Sequence, residues 1–107
     1  MMSEFQKVKI IVTVPESHAG AVREAAGKAG AGRIGKYSFC SFSIKGVGRS
    51  KPEQGADPYI GTVGKMEEIN EERIEFTCDK SCMKEVIEAI KKAHPYEELA
   101  LDIYPLI

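Results

Sequence analysis

The period of the apolar residues changes at Pro15, and that change limits what the chain can fold into. From Lys7 to Val14 apolar residues alternate, with Val8, Ile10, Val12 and Val14 on one face of a strand and Ile11 on the other. Pro15 stops the strand, and Pro15-Glu16 suits the start of a helix, where proline and acids are favoured. From Glu16 to Ala29 the spacing is helical, with Ala19, Val22, Ala25, Ala26 and Ala29 in one stripe. These side chains are small, so the helix can lie close to a sheet. Gly30-Ala31-Gly32 ends it, because glycine takes the left-handed conformation of a helix C-cap.

The period switches back afterwards. Tyr37–Ile44 reads as a second strand, with Phe39 on one face and Cys40, Phe42 and Ile44 on the other. Lys45 to Gly61 has little periodicity, several glycines and two prolines, and reads as a long loop of the kind that often carries function. Thr62–Glu67 and Arg73–Cys78 read as strand segments, either one long bent strand or a hairpin arm interrupted near Asn70. Ser81 is placed to cap a helix running to about Ala93, with Met83, Val86, Ile87 and Ile90 buried and Lys91 and Lys92 at its C-terminal end. Pro95 forces His94 out of helical geometry. Leu99, Leu101 and Ile103 then alternate with Ala100, Asp102 and Tyr104 in a closing strand.

The order β-α-β-β-α-β implies an α+β, ferredoxin-like sandwich: a four-stranded antiparallel sheet with two helices on one face. The other face needs a cover. Ile11, Phe39, Ala100 and Tyr104 are the apolar residues expected there, and a second copy of the chain is the expected cover. A homo-oligomer is therefore expected, with a trimer favoured.

At 107 residues, with 43% apolar and 29% charged, the chain fits a single soluble domain spanning 1–107 with its core between about 7 and 106. A net charge of −1 provides no field for nucleic acid or a membrane surface, and no apolar run approaches a membrane span. Neither partner is expected. Met1-Met2-Ser3-Glu4 lacks the basic and apolar regions of a secretory signal, and the odd set Cys40, Cys78 and Cys82 suits a reducing compartment. A cytoplasmic protein is expected.

Two regions carry candidate sites. His94-Pro95-Tyr96-Glu97-Glu98 puts an imidazole, a phenol and carboxylates at the mouth of the last strand. His94, Tyr96 and Glu97 are candidates for a ligand or for a weak divalent metal site, which Cys40 or His94 of another copy would have to complete, since zinc usually takes four ligands. The competing reading is structural: His94 caps the helix, Pro95 breaks it and Tyr96 packs on the sheet. No other cofactor is indicated. In the long loop, Lys45, Arg49 and Lys51 stand among Gly46, Gly48 and Gly55, followed by Tyr59. Glycines let backbone N–H groups approach an anion and cations neutralise it, so a small-molecule or anionic ligand is expected there, against the alternative of a solvated loop. Gly30-Ala31-Gly32-Arg33-Ile34-Gly35-Lys36-Tyr37 mimics a P-loop up to its last position, but it leads from helix to strand and Tyr37 replaces the magnesium-binding hydroxyl. No nucleophile with a base beside it is visible, so a non-catalytic module is expected.

Gly35-Lys36-Tyr37-Ser38-Phe39-Cys40-Ser41-Phe42, Gly55-Ala56-Asp57-Pro58-Tyr59-Ile60-Gly61, His94-Pro95-Tyr96-Glu97-Glu98 and Asp102-Ile103-Tyr104-Pro105-Leu106 together resemble one known domain. It is the inserted PII/CutA-like domain of the Nif-three-like family, which includes the YqfO-type proteins; here it would be a stand-alone protein. The resemblance covers about Lys7 to Leu106. It implies a trimeric ferredoxin-like module with a ligand-binding or regulatory role and an unspecified ligand. It does not bring the family's metal site, whose ligands lie in flanking domains. A CutA-like divalent-metal binder and a protein-interaction adaptor are the two alternatives.

Overall fold

In the computed structural model, which describes residues 5–107, the elements follow the expected order. They are β1 (Lys7–Pro15), α1 (Glu16–Lys28), β2 (Phe42–Ser50), β3 (Glu67–Asp79), a 3-10 turn (Lys80–Cys82), α2 (Met83–Ala93) and β4 (Leu101–Leu106). The Met1–Glu4 segment read for a secretory signal lies outside the described residues. The sheet order is β2-β3-β1-β4, with every neighbouring pair antiparallel. This is the ferredoxin-like arrangement: each helix connects two parallel strands with a third strand between them.

The register explains the core. Val8, Ile10 and Val12 of β1 stand opposite Cys78, Phe76 and Ile74 of β3, and Ile10 and Val12 stand opposite Ile103 and Leu101 of β4. These residues share one face, and onto it pack Ala19, Val22 and Ala26 of α1 and Val86 and Ile90 of α2. Each fully buried valine or isoleucine contributes about 1.5–3 kcal/mol of transfer free energy. The alanine stripe lets α1 approach the sheet as expected. His94 continues α2 with an N–H to the Ile90 carbonyl and then turns extended, as its following proline requires.

Several boundaries differ from the sequence reading. The second strand is Phe42–Ser50, not Tyr37–Ile44. Phe39 has φ 59°, which no strand residue adopts, and its ring lies over Gly27 of α1 instead of on the open sheet face. Gly32, at φ 79°, holds the intervening loop shut: its carbonyl accepts the Cys40 N–H and its own N–H reaches the Thr77 carbonyl of β3. The first part of the expected loop, Lys45–Ser50, is strand, leaving 51–66 as the connection. Thr62–Met66 belongs to that connection, and β3 is the single long strand from Glu67 to Asp79. Ser81 does not cap α2 through its side chain; a 3-10 turn leads into the helix. The closing strand starts at Leu101, two residues after the alternation begins.

β3 is longer than either partner. Its Glu71–Asp79 part pairs with β1 and its Glu67–Glu75 part with β2, so the outer ends of β2 and β3 run past β1 as a two-stranded ribbon. The molecule is correspondingly elongated, 45 × 33 × 22 Å. No helix among the described residues is long and apolar enough to cross a membrane.

Candidate functional site: a groove between the ribbon and the His94–Glu98 segment

Glu71 of β3 stands opposite Gly46 of β2, and Ile69 stands opposite Gly48. Glu71 therefore lies on the sheet face away from the helices. A side chain on Gly48 would collide with its carboxylate, so this glycine makes room for it. Glu71 is only 9% exposed. Its Oε2 accepts a hydrogen bond of 2.8 Å from the Tyr96 hydroxyl. Burial, followed by the bond to Glu71, pushes the Tyr96 phenol well above its ordinary pKa of 10.0.

His94 fixes where Tyr96 sits. Its Nε2 lies 2.7 Å from the Thr13 carbonyl of β1, and its Nδ1 lies 3.2 Å from the Tyr96 N–H. A carbonyl only accepts and an amide N–H only donates, so this pairing requires the neutral imidazole with its proton on Nε2. Burial drives the His94 pKa below the ordinary 6.5, against opposing contributions from the Thr13 carbonyl and Glu71. Both ring nitrogens are engaged, and coordination of a metal through Nδ1 would require release of the Tyr96 N–H. Thr13 also donates its N–H to Ala100, so the segment after α2 is tied to the end of β1 at two points.

The 51–66 connection folds back towards this segment. The Asp57 N–H donates to Glu97 Oε1 at 3.1 Å. Tyr59 lies 6.4 Å from the Tyr96 ring, and its ring meets His18 of α1 edge-on at 5.6 Å. The result is an open groove of about 940 Å³. Its lining includes Lys45, Gly46, Gly48, Arg49, Lys51, Gly55 and Tyr59 from β2 and the connection, Tyr96 and Glu97 from the segment after α2, and Glu71 and Arg73 of β3. Candidates more than thirty residues apart in the chain thus share one wall-and-floor arrangement. His94 supports the groove from behind without lining it. Cys40 stands elsewhere, beside Gly32 at the base of the 33–39 loop, with its thiol 3.9 Å from the Ser38 carbonyl. Among the described residues no three His, Cys, Asp or Glu side chains gather as a metal site.

The groove's cations are all paired. Lys45 meets Glu16 at 3.6 Å, Arg49 meets Glu68 at 2.7 Å, Lys51 meets Glu53 at 3.6 Å and Arg73 meets Glu75 at 3.3 Å. Sequence reasoning passed over Glu71 and Arg73. A signal was present for Glu71: a glycine inside a strand, here Gly48, marks a place where a neighbouring side chain comes close.

No protein-family model matches the chain. It is 52% identical over 98 residues to a GTP cyclohydrolase 1 type 2 homolog of Bacillus subtilis, and 49% identical over 98 residues to the protein of the same name from Halalkalibacterium halodurans. Both matches take in 92% of this chain but only 26% of the relative, so the chain spans about a quarter of the proteins it matches. Among solved structures, a Bacillus cereus protein related to NIF3 superposes with a TM-score of 0.83 at 44% identity, over 98% of this chain and 27% of that one. CutA from Synechococcus elongatus superposes with a TM-score of 0.68 at 17% identity, over 99% of this chain and 81% of that one, a likeness of fold alone. By sequence and by fold, then, this chain is similar to a segment of about a quarter of these longer proteins, one of them described as related to NIF3, and it shares the fold of CutA.

Proposed function

We propose that this chain is a non-catalytic ligand-binding or regulatory module of the cytoplasm, with the groove as its ligand site. The observation that supports this reading is convergence: the glycine- and cation-rich stretch and the Tyr96-Glu97 segment, marked independently in the sequence, line one cavity of about 940 Å³. That volume falls within the range of small-molecule sites, roughly 300–1,000 Å³. Neither histidine nor cysteine lines the groove among the described residues, so it holds no Ser–His or Cys–His pair. The relatives' cyclohydrolase name belongs to chains of which this one spans 26%, and no such chemistry is assigned to it. The free thiols of Cys40, Cys78 and Cys82 fit a reducing compartment.

The module works as a homo-oligomer in this reading, with a trimer favoured. Support comes from the sheet face away from the helices, where Phe42, Ile44 and Tyr104 are each at least half exposed around the buried Ile11.

A thermal-shift panel of nucleotides, inorganic phosphate, organic amines and divalent metals tests the ligand reading. Metals belong in it because a structural neighbour from Archaeoglobus fulgidus is described as a divalent cation tolerance protein. At least one panel member should raise the melting temperature of the wild type, and the rise should shrink in Gly48→Ala, whose methyl group invades the groove floor. A folded protein that responds to nothing in the panel would contradict the proposal.

A further inference from the structure

The glycine-and-cation pattern of the loop points to an anionic ligand, but the folded chain reverses the sign. All four groove cations already face a carboxylate within ion-pair distance. The carboxylates of Glu71, Glu97 and Glu98 also line the groove, and among the described residues none of them has a cation that close. Each paired cation is locally neutralised, so the unmatched charge of the groove is negative.

Glu71 is the most consequential of the three. It is 9% exposed, one oxygen accepts from Tyr96, and the other faces Gly48 with no donor among the described residues. That second oxygen keeps some solvent access, and a carboxylate oxygen with unused acceptor capacity makes its strongest hydrogen bond with a cationic N–H donor. The rings of Tyr59 and Tyr96, 6.4 Å apart and tilted by 52°, stand at the same groove. Aromatic faces attract a cation within about 6 Å of the ring centroid, and more so when water is displaced.

We propose that the groove takes an organic cation, a protonated amine or guanidinium carried on an apolar body, with Glu71 as its charge partner and the rings of Tyr59 and Tyr96 beside it. The proposal rests on the reading of the groove as the ligand site and narrows it to one chemical class. The apolar body would lie along the aliphatic part of the lining, which includes Ile60 and Ile69.

Agmatine, inorganic phosphate and ATP, each titrated into the purified protein and followed by backbone amide NMR shifts, test it. Agmatine should move the amides of Gly46, Gly48, Tyr59 and Tyr96, and its affinity should fall about tenfold or more in Glu71→Gln, which keeps an acceptor for the Tyr96 hydroxyl but removes the charge. Tyr59→Ala, at a residue 52% exposed and outside the core, should weaken agmatine several-fold and covers the case in which Glu71→Gln fails to fold. Agmatine binding of equal strength in wild type and both variants would overturn the assignment. Phosphate or ATP moving the groove amides while agmatine does not would overturn the cation class and leave the groove as a ligand site. Silence from all three probes at the groove would overturn the proposal and remove support for the groove reading with it.

Discussion

The Tyr96 hydroxyl donates a hydrogen bond to a carboxylate that is 9% exposed, and the phenylalanine variant has no donor to offer it. Tyr96→Phe should therefore cost about 1–3 kcal/mol, the usual penalty for a buried group that loses its partner, seen as a lower urea midpoint with an unchanged slope. Wild-type stability in that variant would show that Glu71 finds another donor. His94 contributes a pH dependence of definite sign. Its imidazole is neutral in the folded protein with a pKa below 6.5, whereas in the unfolded chain it takes up a proton as pH falls through 6.5. The unfolded state then binds more protons, so stability is greatest above pH 6.5 and declines below it. Denaturation at a series of pH values should show the decline beginning near 6.5 in wild type and delayed to the carboxylate range in His94→Gln. An identical pH profile in that variant would contradict this role. The protonated ring would also turn an N–H towards the Tyr96 N–H, so acid should loosen the contact that places Tyr96 at the groove.

At the scale of elements, the two glycines of β2 separate crowding from flexibility. A methyl group at Gly46 meets nothing within 4 Å, while one at Gly48 runs into the Glu71 carboxylate. Gly46→Ala should be neutral or slightly stabilising, by up to about 1 kcal/mol, because the unfolded chain loses freedom. Gly48→Ala should destabilise by about 1–3 kcal/mol, as overpacking does. Equal melting temperatures for the two variants would refute the account of why β2 carries glycine. The same two residues show why the second strand was misplaced by the sequence. Glycine in alternation looks like a loop to any reading based on local preference, whereas at Gly48 it marks a close approach by a side chain of the neighbouring strand. Phe39 misled in the opposite direction: an aromatic residue next to Cys40 looks like strand, yet its positive φ places it in a turn and its ring on α1. The helices and central strands were legible because their periods follow from which face is buried. Boundaries set by a tertiary contact, such as Phe39 on Gly27, leave no trace in local composition. The groove's rim was legible from glycine, cation and tyrosine types. Its floor, Glu71, was not, since only the register of β2 against β3 brings it there.

For the molecule as a whole, the sheet has one face sealed by two helices and another on which Phe42 is 61% and Tyr104 52% exposed. Burying such a surface is favourable at about 25 cal/mol per Å² of apolar area, less the cost of association. Multi-angle light scattering should give a mass that is a multiple of the 11.8 kDa chain, reduced in Phe42→Ser. A single-copy mass for the wild type would remove the oligomer from the account while leaving the groove intact. The groove is where sequence, fold and electrostatics meet. Its most direct test is a crystal structure grown with whichever panel member stabilises the protein most. The account predicts that ligand in the groove, in contact with Tyr59 and Glu71. The ligand bound elsewhere, or the groove filled by side chains of a neighbouring copy, would contradict it.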